Sequence, residues 1–60
     1  MNKWWGYKHV NGGYHAKRFF GQQDIDDALE SEFVLSVTGV FMAKSRGDAL
    51  SQVMKKLSHG

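Results

Sequence analysis

The hydrophobic pattern of residues 3–20 predicts a β-hairpin. Two runs rich in aromatic residues flank the pair Asn11-Gly12, and such a pair between β-type runs is the strongest short-range hairpin signal in a sequence. A two-residue turn here brings a set of mainly apolar side chains onto one face, which we expect to belong to the core: Trp5, Tyr7, Tyr14, Ala16 and Phe20. A three-residue turn over 11–13 instead mixes Lys17 with Trp5 and Tyr7. We prefer the two-residue turn because it separates apolar from basic side chains better.

The two segments after the hairpin have the patterns of a short helix and a strand. Residues 24–31 are acidic, and Ile25, Ala28 and Leu29 fall on one face of a helix. Residues 33–43 are rich in β-branched and aromatic residues, which favours a third strand. Side chains of one parity in this strand are expected to face the core: Phe33, Leu35, Val37, Phe41 and Ala43. Gly39 marks a bulge or a close approach of another backbone.

A final helix is predicted over residues 46–57. Ser45 has the position of a helix N-cap, and Asp48, three residues later, completes a weak form of the capping box. Apolar residues then recur with the period of a helix: Ala49, Leu50, Val53, Met54 and Leu57.

The order of these elements predicts an α+β fold of the type ββαβα, as a single small domain over residues 1–60. A right-handed crossover from the second strand to the third places the third strand beside the first. The expected architecture is a three-stranded antiparallel sheet in the order 2-1-3, with two helices packed on one face. The other face of the sheet is then open to solvent or to a partner.

Composition narrows the functional classes. The 60 residues include no cysteine, which excludes disulfides and thiol nucleophiles. A chain of this length buries only about 60% of its unfolded surface, so there is little room for a deep active site. The longest apolar runs are far shorter than the roughly 20 residues of a membrane span, and the N-terminal residues lack a signal-peptide pattern. We therefore expect a cytoplasmic protein.

Charge is distributed unevenly along the chain. Residues 1–20 hold four Lys/Arg and no acid, whereas residues 21–32 hold five acids and no base. This segregation predicts a dipolar surface, with an acidic first helix and with the hairpin and the C-terminal helix basic. We interpret the acidic residues as a solvated helix face and, secondarily, as a contact for a basic partner.

The open sheet face is the candidate binding surface. In the preferred register it carries these hairpin side chains: Trp4, Lys8, Val10, His15, Lys17 and Phe19. Aromatic rings interspersed with lysines suit the stacking of unpaired bases, and aromatic side chains also anchor protein interfaces. A purely structural role is a third interpretation, in which Trp4 and Phe19 form a cross-strand pair that stabilises the sheet.

The sequence contains no motif for catalysis and no strong metal site. No serine lies in a nucleophile elbow, and Asn11-Gly12-Gly13 lies between two strands rather than before a helix, unlike a phosphate loop. In the preferred register His9 and His15 point to opposite faces, so they would not bind one metal ion together. We expect no enzymatic activity, no cofactor and no small-molecule substrate.

These observations favour a non-enzymatic protein-binding module of the adaptor or inhibitor type. It would act through the open sheet face or through an exposed edge strand, with self-association as a variant of the same idea. The alternative is a nucleic-acid-binding module that uses the same hairpin face. In size the chain also resembles small proteins of phages and prophages, a resemblance that implies no functional residue.

Overall fold

The computed structural model describes residues 1–58, so the last two residues of the predicted domain, 59 and 60, lie outside the described part. Six elements follow one another: β1 (Asn2–His9), β2 (Tyr14–Arg18), α1 (Gln22–Glu30), β3 (Val34–Val37), β4 (Phe41–Ala43) and α2 (Arg46–Leu57). The sheet is antiparallel with the strand order β2-β1-β3, and β4 also pairs with β1. The predicted α+β class and strand order are therefore confirmed, with β4 as a short addition.

The hairpin turns through three residues, Val10 to Gly12, rather than through the predicted two. The His9 amide donates to the Gly13 carbonyl oxygen (2.8 Å), and the Gly12 amide donates to the His9 carbonyl oxygen (2.9 Å). Gly12 has a φ of 94°, the left-handed conformation that closes three-residue hairpin loops. Two side chains hold this loop: Asn11 Oδ1 accepts from the Gly13 amide (2.9 Å), and His9 Nδ1 accepts from the Asn11 amide (3.2 Å).

The longer loop shifts the register and exchanges the faces of β2. The observed pairs include Trp5–Lys17, Gly6–Ala16 and Tyr7–His15. Because side chains alternate along a strand, a shift of one residue moves each β2 side chain to the other face. One face, named here the Trp4 face, carries Trp4, Gly6, Lys8, Tyr14, Ala16 and Arg18. The other, the Trp5 face, carries Trp5, Tyr7, His9, His15 and Lys17. The predicted core face, which grouped Trp5 with Tyr14 and Ala16, is therefore wrong.

Helix α2 covers the Trp4 face. The buried cluster beneath it consists of Trp4, Ala43 and Ala49, with Ala16 and Phe41 packed against it. Gly6 lies directly under Val53, so close that a Cβ atom at this position would overlap the Val53 side chain. The absence of a side chain at Gly6 is what allows the helix to approach the middle of β1.

The start of α2 agrees with the capping pattern of the sequence. Ser45 Oγ accepts a hydrogen bond from the Asp48 amide (3.2 Å), while Asp48 Oδ2 accepts one from the Lys44 amide (3.0 Å). The carboxylate thus reaches one residue further back than in the usual capping box. Gln52 Nε2 donates to the Met42 carbonyl oxygen (3.0 Å), which ties the middle of the helix to β4.

Helix α1 packs against β3 and flanks the Trp5 face. The sequence predicts both helices on one face, but α2 covers the Trp4 face without α1. Adjacent residues of a strand point to opposite faces, and Trp4 and Trp5 are 6% and 2% exposed, so each face needs its own cover. Ile25 is the buried residue of α1, whereas Leu29, predicted to face the core, is exposed. Neither α1 nor α2, the helices of residues 1–58, is long and apolar enough to cross a membrane.

The predicted strand over 33–43 is divided into β3 and β4 by residues 38–40. The Thr38 amide donates to the Gly6 carbonyl oxygen (2.8 Å), and Thr38 Oγ1 accepts from the Gly6 amide (2.9 Å). A side-chain oxygen here replaces the backbone acceptor of a regular ladder. The segment has one residue more than the stretch of β1 opposite it, which is the irregularity expected at Gly39.

A second irregularity lies in β3. Lys8 pairs with Ser36 and His9 with Val34, so Leu35 is the extra residue of a β-bulge. Leu35 is 60% exposed, and Phe33 is exposed as well, although the parity of the strand predicts that both face the core. The bulge breaks the alternation on which that prediction depends.

Replacing Thr38 by valine is expected to destabilise the domain by about 2 kcal/mol. Valine keeps the shape of the side chain but removes Oγ1, and the buried Gly6 amide then has no acceptor. Urea denaturation, monitored by circular dichroism, measures the loss in free energy of unfolding. Thr38→Ser is the matched control, because it keeps the hydroxyl and loses one methyl group, at a cost of about 1 kcal/mol. A valine variant as stable as the wild type would contradict this role of the hydroxyl.

Candidate binding cleft

The six residues of the predicted binding face do not share one surface. Trp4 is buried beneath α2, and Lys8 lies on the same Trp4 face with its Nζ 5.4 Å from the centroid of the Tyr14 ring. Phe19 follows the end of β2 and is half-buried, and its amide donates to the Lys3 carbonyl oxygen (2.9 Å). Of the two predicted aromatic anchors, Trp4 is thus buried and Phe19 is half-buried.

Val10, His15 and Lys17 are the most accessible members of the predicted set. Val10 is exposed in the turn, and its amide donates to the Phe33 carbonyl oxygen (3.0 Å). His15 and Lys17 are exposed on the Trp5 face. These two are the members of the predicted set that share an exposed surface, and the Tyr7 ring beside them is one that the sequence pattern places in the core.

A row of aromatic rings crosses the Trp5 face. It runs in the order Trp5, Tyr7, His15, His9 and Phe33, with 5.7, 4.9, 6.2 and 6.1 Å between successive ring centroids. Tyr7 and His15 are stacked, with 20° between their planes. The prediction that His9 and His15 point to opposite faces is therefore wrong, because the three-residue loop puts both on the Trp5 face.

Beside this aromatic row, the hairpin and α1 form a cleft of about 480 Å³. Trp5, Tyr7, Lys17 and Arg18 line its hairpin side, Asp24 and Asp27 of α1 line the other side, and Phe20 lies between them along the chain. The volume is within the range of sites that take a small ligand, and it is large enough to receive a peptide side chain. The cleft brings charged and aromatic groups together.

The two sides of the cleft carry opposite charge. Lys17 Nζ lies 5.9 Å from the Tyr7 ring centroid, and the guanidinium carbon of Arg18 lies 5.8 Å from the Phe20 ring centroid. Both cations are thus over aromatic rings, where the ring quadrupole attracts them. Asp27 Oδ1 accepts a hydrogen bond (2.8 Å) from a glutamine one turn earlier in α1. A ligand in the cleft would meet cations, carboxylates and apolar rings at the same time.

The histidines of the aromatic row make their contacts within the hairpin. His9 Nδ1 accepts the Asn11 amide hydrogen bond of the turn, and the His15 ring stacks on Tyr7. Within residues 1–58, no three His, Cys, Asp or Glu side chains are grouped so as to hold a metal ion. The row meets the cleft at Tyr7, which lines both and lies 5.9 Å from Lys17 Nζ.

The sequence pattern gives most cleft residues other roles, with Trp5, Tyr7 and Phe20 in the core and the aspartates of α1 on a solvated surface. Lys17 is the cleft residue that the predicted binding face includes. A three-residue turn is the signal that indicates the cleft, since it puts Lys17 on the face of Trp5 and Tyr7, although the observed loop is 10–12 and the alternative in the sequence is 11–13. The adjacent tryptophans are a second signal, because two large neighbouring side chains in one strand require two covered faces.

Comparison of the chain with protein-family models, with curated proteins and with solved structures found no match. The geometry of the cleft and of the sheet edges is therefore the basis on which a function can be assigned.

Proposed function

We propose that this chain is a small non-enzymatic protein-binding module that receives part of its partner in the cleft between the hairpin and α1. The observation that carries the proposal is the lining of the cleft, which combines opposite charges with an accessible aromatic side chain. Phe20, at its border, is 81% exposed. Aromatic and arginine side chains provide most of the binding energy in protein interfaces.

Two apolar side chains at β3 support the same function. Phe33 and Leu35 are exposed, and the Phe33 ring stacks on His9 at the end of the aromatic row. Exposed apolar area marks interaction sites when it is extensive. An adaptor or inhibitor would bury such side chains to exclude water around the anchor in the cleft.

The alternative function, binding of single-stranded nucleic acid, has one specific observation in its favour. Tyr7 and His15 form part of a stacked aromatic row with Lys17 beside it, an arrangement that suits base stacking. However, Asp24 and Asp27 line the same cleft, and their carboxylates would repel a phosphate backbone. For this reason a peptide fits the cleft better than a polyanion does.

Selection from a random peptide display library tests the proposal. We expect enrichment of peptides whose binding shifts the amide NMR signals of cleft residues, and we expect Phe20→Ser to weaken these peptides about tenfold or more. Leu29→Ser is the matched control, because Leu29 is also exposed but does not line the cleft.

Two outcomes would contradict the proposal: no enrichment at all, or equal weakening by both serine variants. The dependence of binding on salt concentration distinguishes the nucleic-acid alternative from peptide binding. Binding of oligothymidine that falls steeply between about 50 and 200 mM salt would indicate a nucleic-acid-binding protein.

A further inference from the structure

Within residues 1–58, strand β2 is paired on one side only, since the strand order is β2-β1-β3. We propose that the free edge of β2 accepts an extended, acidic segment of the protein partner as an additional strand. This inference rests on the proposed protein-binding function and gives the partner its chemistry. Addition of a strand at a sheet edge is a common mode of peptide recognition, in which backbone hydrogen bonds provide affinity and side chains provide specificity.

The hydrogen bonds of the hairpin show which backbone groups of β2 point outward. Gly13 and Phe19, at the two ends of β2, bond to His9 and Lys3 of β1. In an antiparallel pair the bonding residues alternate, so the residues between them that face away from β1 are Tyr14, Ala16 and Arg18. Their amide and carbonyl groups form an evenly spaced series of donors and acceptors along the free edge.

The opposite edge of the sheet is less suited to an added strand. β3 has four residues, with a bulge at Leu35, and the irregular segment 38–40 separates it from the three residues of β4. Bulges and short edge strands prevent edge-to-edge pairing. β2 instead pairs with β1 over five consecutive residues without a shift of register, so its free edge is regular over the same length.

The charge of β2 indicates which kind of partner segment would pair with its free edge. β2 presents His15, Lys17 and Arg18, all exposed, and the first 20 residues hold no acid. A second copy paired antiparallel about Lys17 would place the two Lys17 side chains directly opposite each other, and pairing about Ala16 would bring no acidic side chain to either Lys17. Like charges directly across a strand pair are destabilising, whereas opposite charges stabilise it. The edge therefore disfavours self-pairing and suits a strand with acidic side chains.

Two substitutions at Arg18 separate strand addition from simple charge attraction. Arg18→Gln removes the charge and keeps the outward amide, while Arg18→Pro removes both. Proline is tolerated on an edge strand where its missing amide would face solvent, and thermal denaturation of both variants checks that they fold. The probe is a short capped peptide of alternating Glu and Val with a fluorescent label. Its controls are the same peptide with every backbone amide N-methylated, and a counterpart of alternating Lys and Val.

We expect the Glu/Val peptide to bind the wild type, Arg18→Gln to weaken it a few-fold, and Arg18→Pro to weaken it about tenfold further. Neither control peptide should bind. Equal affinity of the two Arg18 variants, binding of the N-methylated peptide, or displacement of the probe by oligothymidine would overturn the inference. So would a dimer in sedimentation that Arg18→Pro dissociates and Arg18→Gln does not. If library peptides bind the cleft but the Glu/Val peptide does not bind, the inference fails and the proposed function stands. If neither binds, both fail.

Discussion

Replacement of Gly6 by alanine is expected to remove a large part of the stability of the domain. A Cβ atom at this position would lie 2.5 Å from the His15 carbonyl oxygen and would also overlap the Val53 side chain. The carbonyl belongs to the backbone of β2 and cannot retreat without disturbing the ladder with β1. Overpacking of this kind costs about 3 kcal/mol or more. Since a domain of this size has a total stability of about 3–9 kcal/mol, the loss is a large part of the whole.

Gly47→Ala is the control for Gly6→Ala, because it makes the same chemical change in the first turn of α2. There a Cβ atom would meet only the Ser45 hydroxyl at 3.9 Å, and alanine should stabilise the helix by up to about 1 kcal/mol. Thermal and urea denaturation of the two variants give the comparison. Val53→Ala combined with Gly6→Ala should recover only part of the stability, since the clash with the His15 carbonyl remains. A Gly6→Ala variant as stable as Gly47→Ala would contradict the observed approach of α2 to β1.

Trp4→Ala is expected to cost about 3–5 kcal/mol, the range of large-to-small changes of buried aromatic residues. The indole ring is 6% exposed and is the largest member of the cluster with Ala43 and Ala49. Its Nε1 has no hydrogen-bond partner among residues 1–58, so Trp4→Phe removes no hydrogen bond seen there and should cost less. Denaturation monitored by circular dichroism gives the free energy of unfolding of the wild type, Trp4→Ala and Trp4→Phe.

Phe20→Ala is the control for Trp4→Ala. Phe20 is exposed, so its truncation should change stability by no more than about 0.5 kcal/mol. The two residues thus exchange the roles that the sequence pattern predicts for them: Trp4 in the binding face and Phe20 in the core. If Trp4→Ala kept full stability and lost affinity for a peptide partner, the buried position of Trp4 would be wrong.

The regrouping of hairpin side chains originates in the loop. The Asn11-Gly12 pair is compatible with loops of two or three residues, and both keep the two strands in place. The choice depends on hydrogen bonds that the turn amides donate to Asn11 Oδ1 and His9 Nδ1. A strand with aromatic or apolar residues at both parities offers no pattern that would select one register. A difference of one residue in the loop therefore decides which β2 side chains share a face with Trp4 and which share a face with Trp5.

Local patterns in the sequence are sufficient to predict several elements. The cap at Ser45 and the helical period after it predict α2, β-propensity and the turn pair predict the hairpin, and the crossover rule predicts the strand order. Tertiary contacts set the register of β2, the break at Thr38, the position of α1 beside the Trp5 face and hence the cleft. These features depend on single hydrogen bonds between residues brought together by folding, and on two adjacent tryptophans that each need a covered face. The period of the sequence shows neither the hydrogen bonds nor the cover of each tryptophan, because a period specifies which side chains of one element share a face but not what packs on that face.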